Sequence, residues 1–67
     1  MLSPGDVIGD WLVEDVLGEG SMGVVYRCRD QEHRAIAAAV KVARPTLPLA
    51  ALRRFRHEVL LLSLIHI

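Results

Sequence analysis

The stretch Gly18-Glu19-Gly20-Ser21-Met22-Gly23 is the feature that most limits how this chain can fold. Its three glycines let a backbone turn tightly and approach a phosphate group, because glycine has no Cβ and tolerates positive φ. The residues after Gly23 are Val-Val-Tyr-Arg-Cys-Arg, which are β-branched or aromatic and roughly alternate with polar residues. This pattern predicts a strand rather than a helix. We therefore expect a glycine-rich turn between two strands.

Two common phosphate-binding motifs do not fit this turn. A Rossmann fingerprint needs a helix directly after the glycines and an acidic residue about twenty positions further on. Here a strand follows, and the region at that distance reads Lys41-Val42-Ala43-Arg44. A Walker A loop needs Lys and then Ser or Thr directly after its last glycine. The chain has Val24-Val25 there, so both alternatives are excluded.

Three motifs, in this order, resemble bacterial serine/threonine protein kinases of the eukaryotic type. Residues 17–30 look like the glycine-rich loop of that family, and Ala39-Val40-Lys41 is similar to the end of its Val-Ala-Ile-Lys strand. Arg54-Phe55-Arg56-His57-Glu58-Val59 looks like the helix that follows. The resemblance covers roughly residues 11 to 61 and implies an α+β fold. This would be a fragment of the N-terminal lobe, with three antiparallel strands followed by one helix.

The resemblance also implies an ATP site. In the family, the glycine-rich loop covers the phosphates, a lysine contacts the α- and β-phosphates, and a helix glutamate holds that lysine. Carried over to this chain, the lysine is Lys41, which is its only lysine, and the glutamate is Glu58. The loop residues are Gly18, Glu19, Gly20, Ser21, Met22 and Gly23, and the side chains around adenine are Leu17, Val25 and Ala39.

The parent protein would transfer the γ-phosphate of Mg-ATP to Ser or Thr of a protein substrate. The family's catalytic loop and the motif that binds Mg²⁺ lie downstream of these motifs, so we expect the 67-residue fragment itself to be inactive. Two alternatives stay open. One is a fragment of a non-catalytic pseudokinase or nucleotide-binding scaffold, and the other is an unrelated small α+β interaction module.

The chain divides into three expected parts: a leader at residues 1–10, the partial kinase domain at 11–61 and a tail at 62–67. Strands are predicted at residues 11–17, 24–29 and 35–42, although the alanines of the last run intrinsically favour a helix. A helix is predicted from about Leu49. Its apolar face would consist of Ala51, Leu52, Phe55, Val59 and Leu62, with Glu58 at the edge.

The tail Leu-Ser-Leu-Ile-His-Ile does not resemble the kinase family. It is similar to the translation of a transposon-end sequencing adaptor, which implies that residues 62–67 are not native.

Composition excludes several other classes of function. The formal net charge is zero, without the basic surplus that a nucleic-acid surface needs. Cys28 is the only cysteine, which favours a buried apolar role, and the three histidines lack metal-ligand spacing. The start of the chain lacks a signal-peptide pattern, and the apolar end is too short to span a bilayer. We expect a cytoplasmic kinase domain whose parent could carry a membrane anchor elsewhere.

Overall fold

A computed structural model describes residues 1–55 and 59–64 of the chain as one antiparallel sheet and a short helix. The five strands follow one another in space as they do in sequence, so each pairs with the strand before it. Their bounds are Val7–Ile8 for β1, Trp11–Glu19 for β2, Gly23–Asp30 for β3, Ile36–Ala43 for β4 and Val59–Leu64 for β5. The helix, α1, spans Leu49–Arg54.

The hydrophobic core lies on one face of this sheet. Alternate residues of β3 point into it, namely Val24, Tyr26 and Cys28. Val13 of β2 and Ala38 and Val40 of β4 complete the buried cluster. Period-two alternation is what a strand with one buried face requires. The prediction of strands β2, β3 and β4 is therefore confirmed, as is a buried Cys28, whose pKa is raised by desolvation.

The alanine-rich run of β4 forms a strand despite its helical propensity. Its backbone pairs with β3 over seven positions on one side and with β5 over five on the other. Ladder hydrogen bonds on both sides satisfy the backbone groups of β4, and tertiary pairing of this kind routinely overrides propensity. Ala37 and Ala38 are fully buried, and because successive side chains of a strand point to opposite faces, β4 buries a small side chain on each face.

The prediction of three strands is wrong, because β1 and β5 join the sheet. Residues 1–10, expected to be an extended leader, contain β1, which pairs with the start of β2. Gly9, at φ 58°, allows the tight connection between these strands. The backbone N–H of Leu2 donates to the Tyr26 hydroxyl at 2.8 Å, and Leu2 packs against the core. The N-terminal segment is therefore part of the fold.

The predicted long helix is also wrong. α1 ends at Arg54, Phe55 is extended (φ −69°, ψ 131°), and β5 begins at Val59. None of the helix residues is buried, and its N-terminus has no side-chain cap. A short uncapped helix without a packed face gains little stability, whereas β5 covers the hydrogen-bonding edge of β4. Val59 and Leu62 lie in this strand rather than on a helix face.

Residues 62–64, the start of the expected tail, also belong to β5, while residues 56–58 and 65–67 lie outside the described part. No helix in the described ranges is long and apolar enough to cross a membrane.

An ion-pair cluster on β2 and β3 makes stability depend on pH. Glu14 accepts a hydrogen bond from Arg29 Nε at 2.9 Å and lies 3.6 Å from Arg27 Nε. The hydrogen bond from Arg29 lowers the pKa of Glu14 below its ordinary value of 4.5, against an opposing effect of desolvation. A carboxylate with a lowered folded-state pKa stabilises the fold above its unfolded pKa. That stability is lost as pH falls through the folded-state pKa.

We therefore expect the free energy of unfolding to decrease as pH falls through and below 4.5, and Glu14→Gln to reduce this dependence. Urea denaturation at a series of pH values measures it. Asp30 also contributes to the pH dependence, because the backbone N–H groups of His33 and Glu32 lower its pKa. The Glu14 variant separates the contribution of Glu14 from that of Asp30. The exposed Glu32→Gln is the matched control. Equal pH profiles for Glu14→Gln and wild type would contradict the expectation.

Candidate functional site

The glycine-rich turn connects β2 to β3 at one end of the sheet. Gly18 pairs with Val25 and Glu19 with Val24, and the Gly20 N–H donates to the Gly23 carbonyl at 2.9 Å. The register of β2 shifts between Val16 and Gly18, so this strand carries a bulge just before the turn. Bulges increase local strand twist and are frequent next to functional sites.

Beneath the turn is an open cleft of about 410 Å³. The residues that line it are Gly18, Glu19, Gly20, Ser21, Met22, Gly23, Val25, Lys41 and Phe55. All except Phe55 were singled out from the sequence as candidate ATP-binding residues. Val25 and Lys41 are sixteen residues apart in sequence, but they are direct partners on β3 and β4. The structure therefore brings the turn and the lysine to one place.

Among the described residues, the three turn glycines do not use positive φ, which is found only at Gly5 and Gly9. The expectation that these glycines serve to adopt positive φ is therefore wrong. At Gly23, the lack of room for a side chain is the reason instead. A Cβ at Gly23 would lie 2.5 Å from the Val42 carbonyl oxygen and 2.8 Å from Phe55 Cε2. Gly23 is thus required by close packing.

Gly18 and Gly20 differ from Gly23 in this respect. A Cβ at Gly18 would meet no described atom within 4 Å, and at Gly20 the nearest is the Gly23 carbonyl oxygen at 3.9 Å. Packing and backbone conformation therefore do not explain glycine at these two positions. Both line the cleft, where a missing side chain leaves the backbone open to a bound group.

Lys41 contacts the aromatic ring of Phe55. Its Nζ lies 5.1 Å from the ring centroid, within the range of a cation–π interaction. Phe55 is buried, and its ring also packs below Gly23. The sequence predicted Phe55 as an apolar helix residue and missed its place in the cleft. The ring reaches Lys41 and Gly23 because the chain becomes extended after α1.

Ala39 and Leu17, which were also predicted as site residues, are not part of the cleft lining. Ala39 is two residues before Lys41 on β4, on the same face of the strand. Leu17 is half exposed at the β2 bulge. Glu58 lies outside the described residues, so its ion pair with Lys41 stays a prediction.

Arg44 is the second residue that sequence reasoning missed. It follows β4 directly, and its backbone N–H donates to the Met22 carbonyl at 2.9 Å. Its Nε donates to the Gly20 carbonyl at 2.9 Å, and its Nη2 lies 3.4 Å from Glu19 Oε2. No local sequence signal points to these contacts, because they depend on the register between β3 and β4.

A second cavity, of about 330 Å³, includes Leu2, Tyr26, Arg44 and Pro45 in its lining. Within the described ranges there is no cluster of three or more His, Cys, Asp or Glu that could hold a metal ion.

Comparisons of the chain with protein-family models, with curated proteins and with solved structures find no match.

Proposed function

We propose that this chain is a truncated ATP-binding part of a serine/threonine protein kinase, from its N-terminal lobe. The observation that carries the proposal is the cleft shared by Lys41 and two turn glycines, Gly18 and Gly20, that packing does not require. Backbone without side chains next to Lys41 suits a polyphosphate, because backbone N–H groups donate to phosphate oxygens and an ammonium supplies a compact positive charge.

In this proposal, each part of the cleft has its own role. The backbone of residues 20–23 covers the phosphates, and Lys41 contacts them from β4. Phosphoryl transfer depends mainly on positioning and charge stabilisation, so a fixed lysine contributes directly to rate. When bound with ATP, Mg²⁺ supplies charge neutralisation on the phosphates. In the kinase family its ligands belong to a downstream motif, so we assign this chain no metal-binding role.

The adenine would lie along the same face of the sheet. Val25 and Lys41 are partners in the β3–β4 ladder, and Ala39 lies two residues before Lys41 on the same face. The small side chain of Ala39 leaves room for a flat ring. Leu17, which is half exposed, is available for contact from β2.

The decisive test uses a longer product of the same gene, extended past codon 67. We expect its sequence to contain a catalytic loop of the His-Arg-Asp kind and a metal-binding Asp-Phe-Gly, and its product to phosphorylate Ser or Thr in a generic protein substrate with Mg-ATP. The 67-residue chain, assayed in parallel, should transfer no phosphate. A longer product that binds ATP without transfer would instead support the pseudokinase alternative.

Lys41 and Glu58 should act as a pair in that longer product. Lys41→Met and Glu58→Gln each remove one member of the same positioning pair, so their losses in kcat/KM should be strongly non-additive in a double-mutant cycle. Fully additive losses would contradict the proposed ion pair.

A further inference from the structure

We propose that Arg44 is a positioning residue that holds the glycine-rich turn over the phosphate site. The inference rests on the proposed function and extends it to a residue outside the kinase-like motifs. Its basis is that one residue reaches three positions of the turn: the carbonyl of Gly20, the carbonyl of Met22 and the carboxylate of Glu19.

Arg44 directly follows the end of β4 that lies next to the turn, and its contacts hold the turn from there. The last ladder pair is Gly23 with Ala43, so the bond from Arg44 N–H to Met22 continues the pairing into the turn itself. The guanidinium then reaches Gly20 on the other side of the turn. Ser21 and Met22 are exposed at the tip, so these contacts tie the exposed tip to the ordered end of β4.

Arg44 also offsets a negative charge at the site. Glu19 lines the cleft, and its carboxylate would repel a polyphosphate. The Arg44 guanidinium lies 3.4 Å from Glu19 Oε2, which places a compensating positive charge beside it. Loss of Arg44 would therefore both release the turn and expose the Glu19 charge.

The test compares inorganic tripolyphosphate with adenosine as probes of the 67-residue chain. Arg44→Ala should weaken tripolyphosphate binding by about twofold to fivefold, the range expected for loss of a partly exposed charged contact. Adenosine binding should not change, because adenosine carries no phosphate. The exposed Arg53→Ala removes the same charge from α1 and is the matched control.

Two further variants separate positioning from simple charge. Arg44→Lys keeps the charge but loses the planar fork of donors, so it should recover less than half of the lost affinity. Glu19→Gln in the Arg44→Ala background should restore part of the loss by removing the exposed carboxylate. Amide hydrogen exchange at Gly20 and Gly23 should be faster in Arg44→Ala than in wild type or Arg53→Ala.

The outcomes distinguish this inference from the proposed function. A wild-type chain that binds no tripolyphosphate contradicts the proposed function and removes the inference with it. If the wild-type chain and Arg44→Ala bind tripolyphosphate equally well, the inference about Arg44 is overturned while the proposed function stands. Full rescue by Arg44→Lys would also overturn it, since charge rather than positioning would then explain the effect.

Discussion

Gly23→Val should abolish the ordered fold of this chain. Even the first added atom, Cβ, would lie 2.5 Å from the Val42 carbonyl oxygen and 2.8 Å from Phe55 Cε2. Backbone of β4 cannot yield without breaking the ladder beside it, and overpacking of this kind typically costs about 1–3 kcal/mol or more. A domain of this size has only a few kcal/mol of stability in reserve. Circular dichroism during thermal unfolding should show no cooperative transition.

Gly18→Ala is the matched control for Gly23→Val. A Cβ at Gly18 meets no described atom within 4 Å, so the unfolding transition should stay close to that of wild type. Its binding of ATP should nevertheless weaken, because the new methyl group enters the cleft. If Gly18→Ala and Gly23→Val destabilise the chain equally, the difference that we assign to the two glycines is wrong.

Lys41→Met should remove most of the preference for phosphate-bearing ligands while leaving the chain folded. Methionine keeps the apolar stem but lacks the ammonium group, so the cation–π contact with Phe55 is lost at a cost of about 0.5–1 kcal/mol. A charged hydrogen bond to a phosphate contributes about 1.5–3 kcal/mol, so affinity for ATP should fall at least about tenfold. Adenosine affinity should not change.

Calorimetric titration of both ligands measures this difference, with Arg53→Met as a control for loss of positive charge at an exposed site. A variant that loses ATP and adenosine affinity to the same extent would indicate a disturbed fold rather than a lost phosphate contact. Unchanged ATP affinity would remove Lys41 from the site.

The central hairpin was predictable because its signals are local. Alternating residues in β3 and the glycines before it define two strands and a turn, whereas the pairing of Val25 with Lys41 is known only from the structure. Eight of the nine cleft-lining residues were named from the resemblance to the kinase family rather than from these local signals. The steric requirement for glycine at position 23 could not be predicted from the sequence, because the close approach of Gly23 to Val42 and Phe55 depends on tertiary packing.

The two outer strands were missed for different physical reasons. β1 has only two residues, too few to show an alternating pattern. In β5, the residues from Val59 onward also fit a helical period, and a short apolar run does not distinguish helix from strand. In the structure the run forms a strand, because it pairs with the edge of β4 that β3 leaves open. Arg44 escaped notice because contacts across twenty-two to twenty-five residues leave no periodic signal.

The most direct test of the proposed phosphate site is a nuclear magnetic resonance titration of the isotope-labelled 67-residue chain with ATP. We predict saturable shifts of the backbone amide signals of Gly20, Ser21, Met22, Gly23 and Lys41, with little change around Leu2 and Tyr26 at the second cavity. Shifts centred on Leu2 and Tyr26, or no saturable change at the glycine-rich turn, would contradict the assignment of this cleft as a triphosphate site.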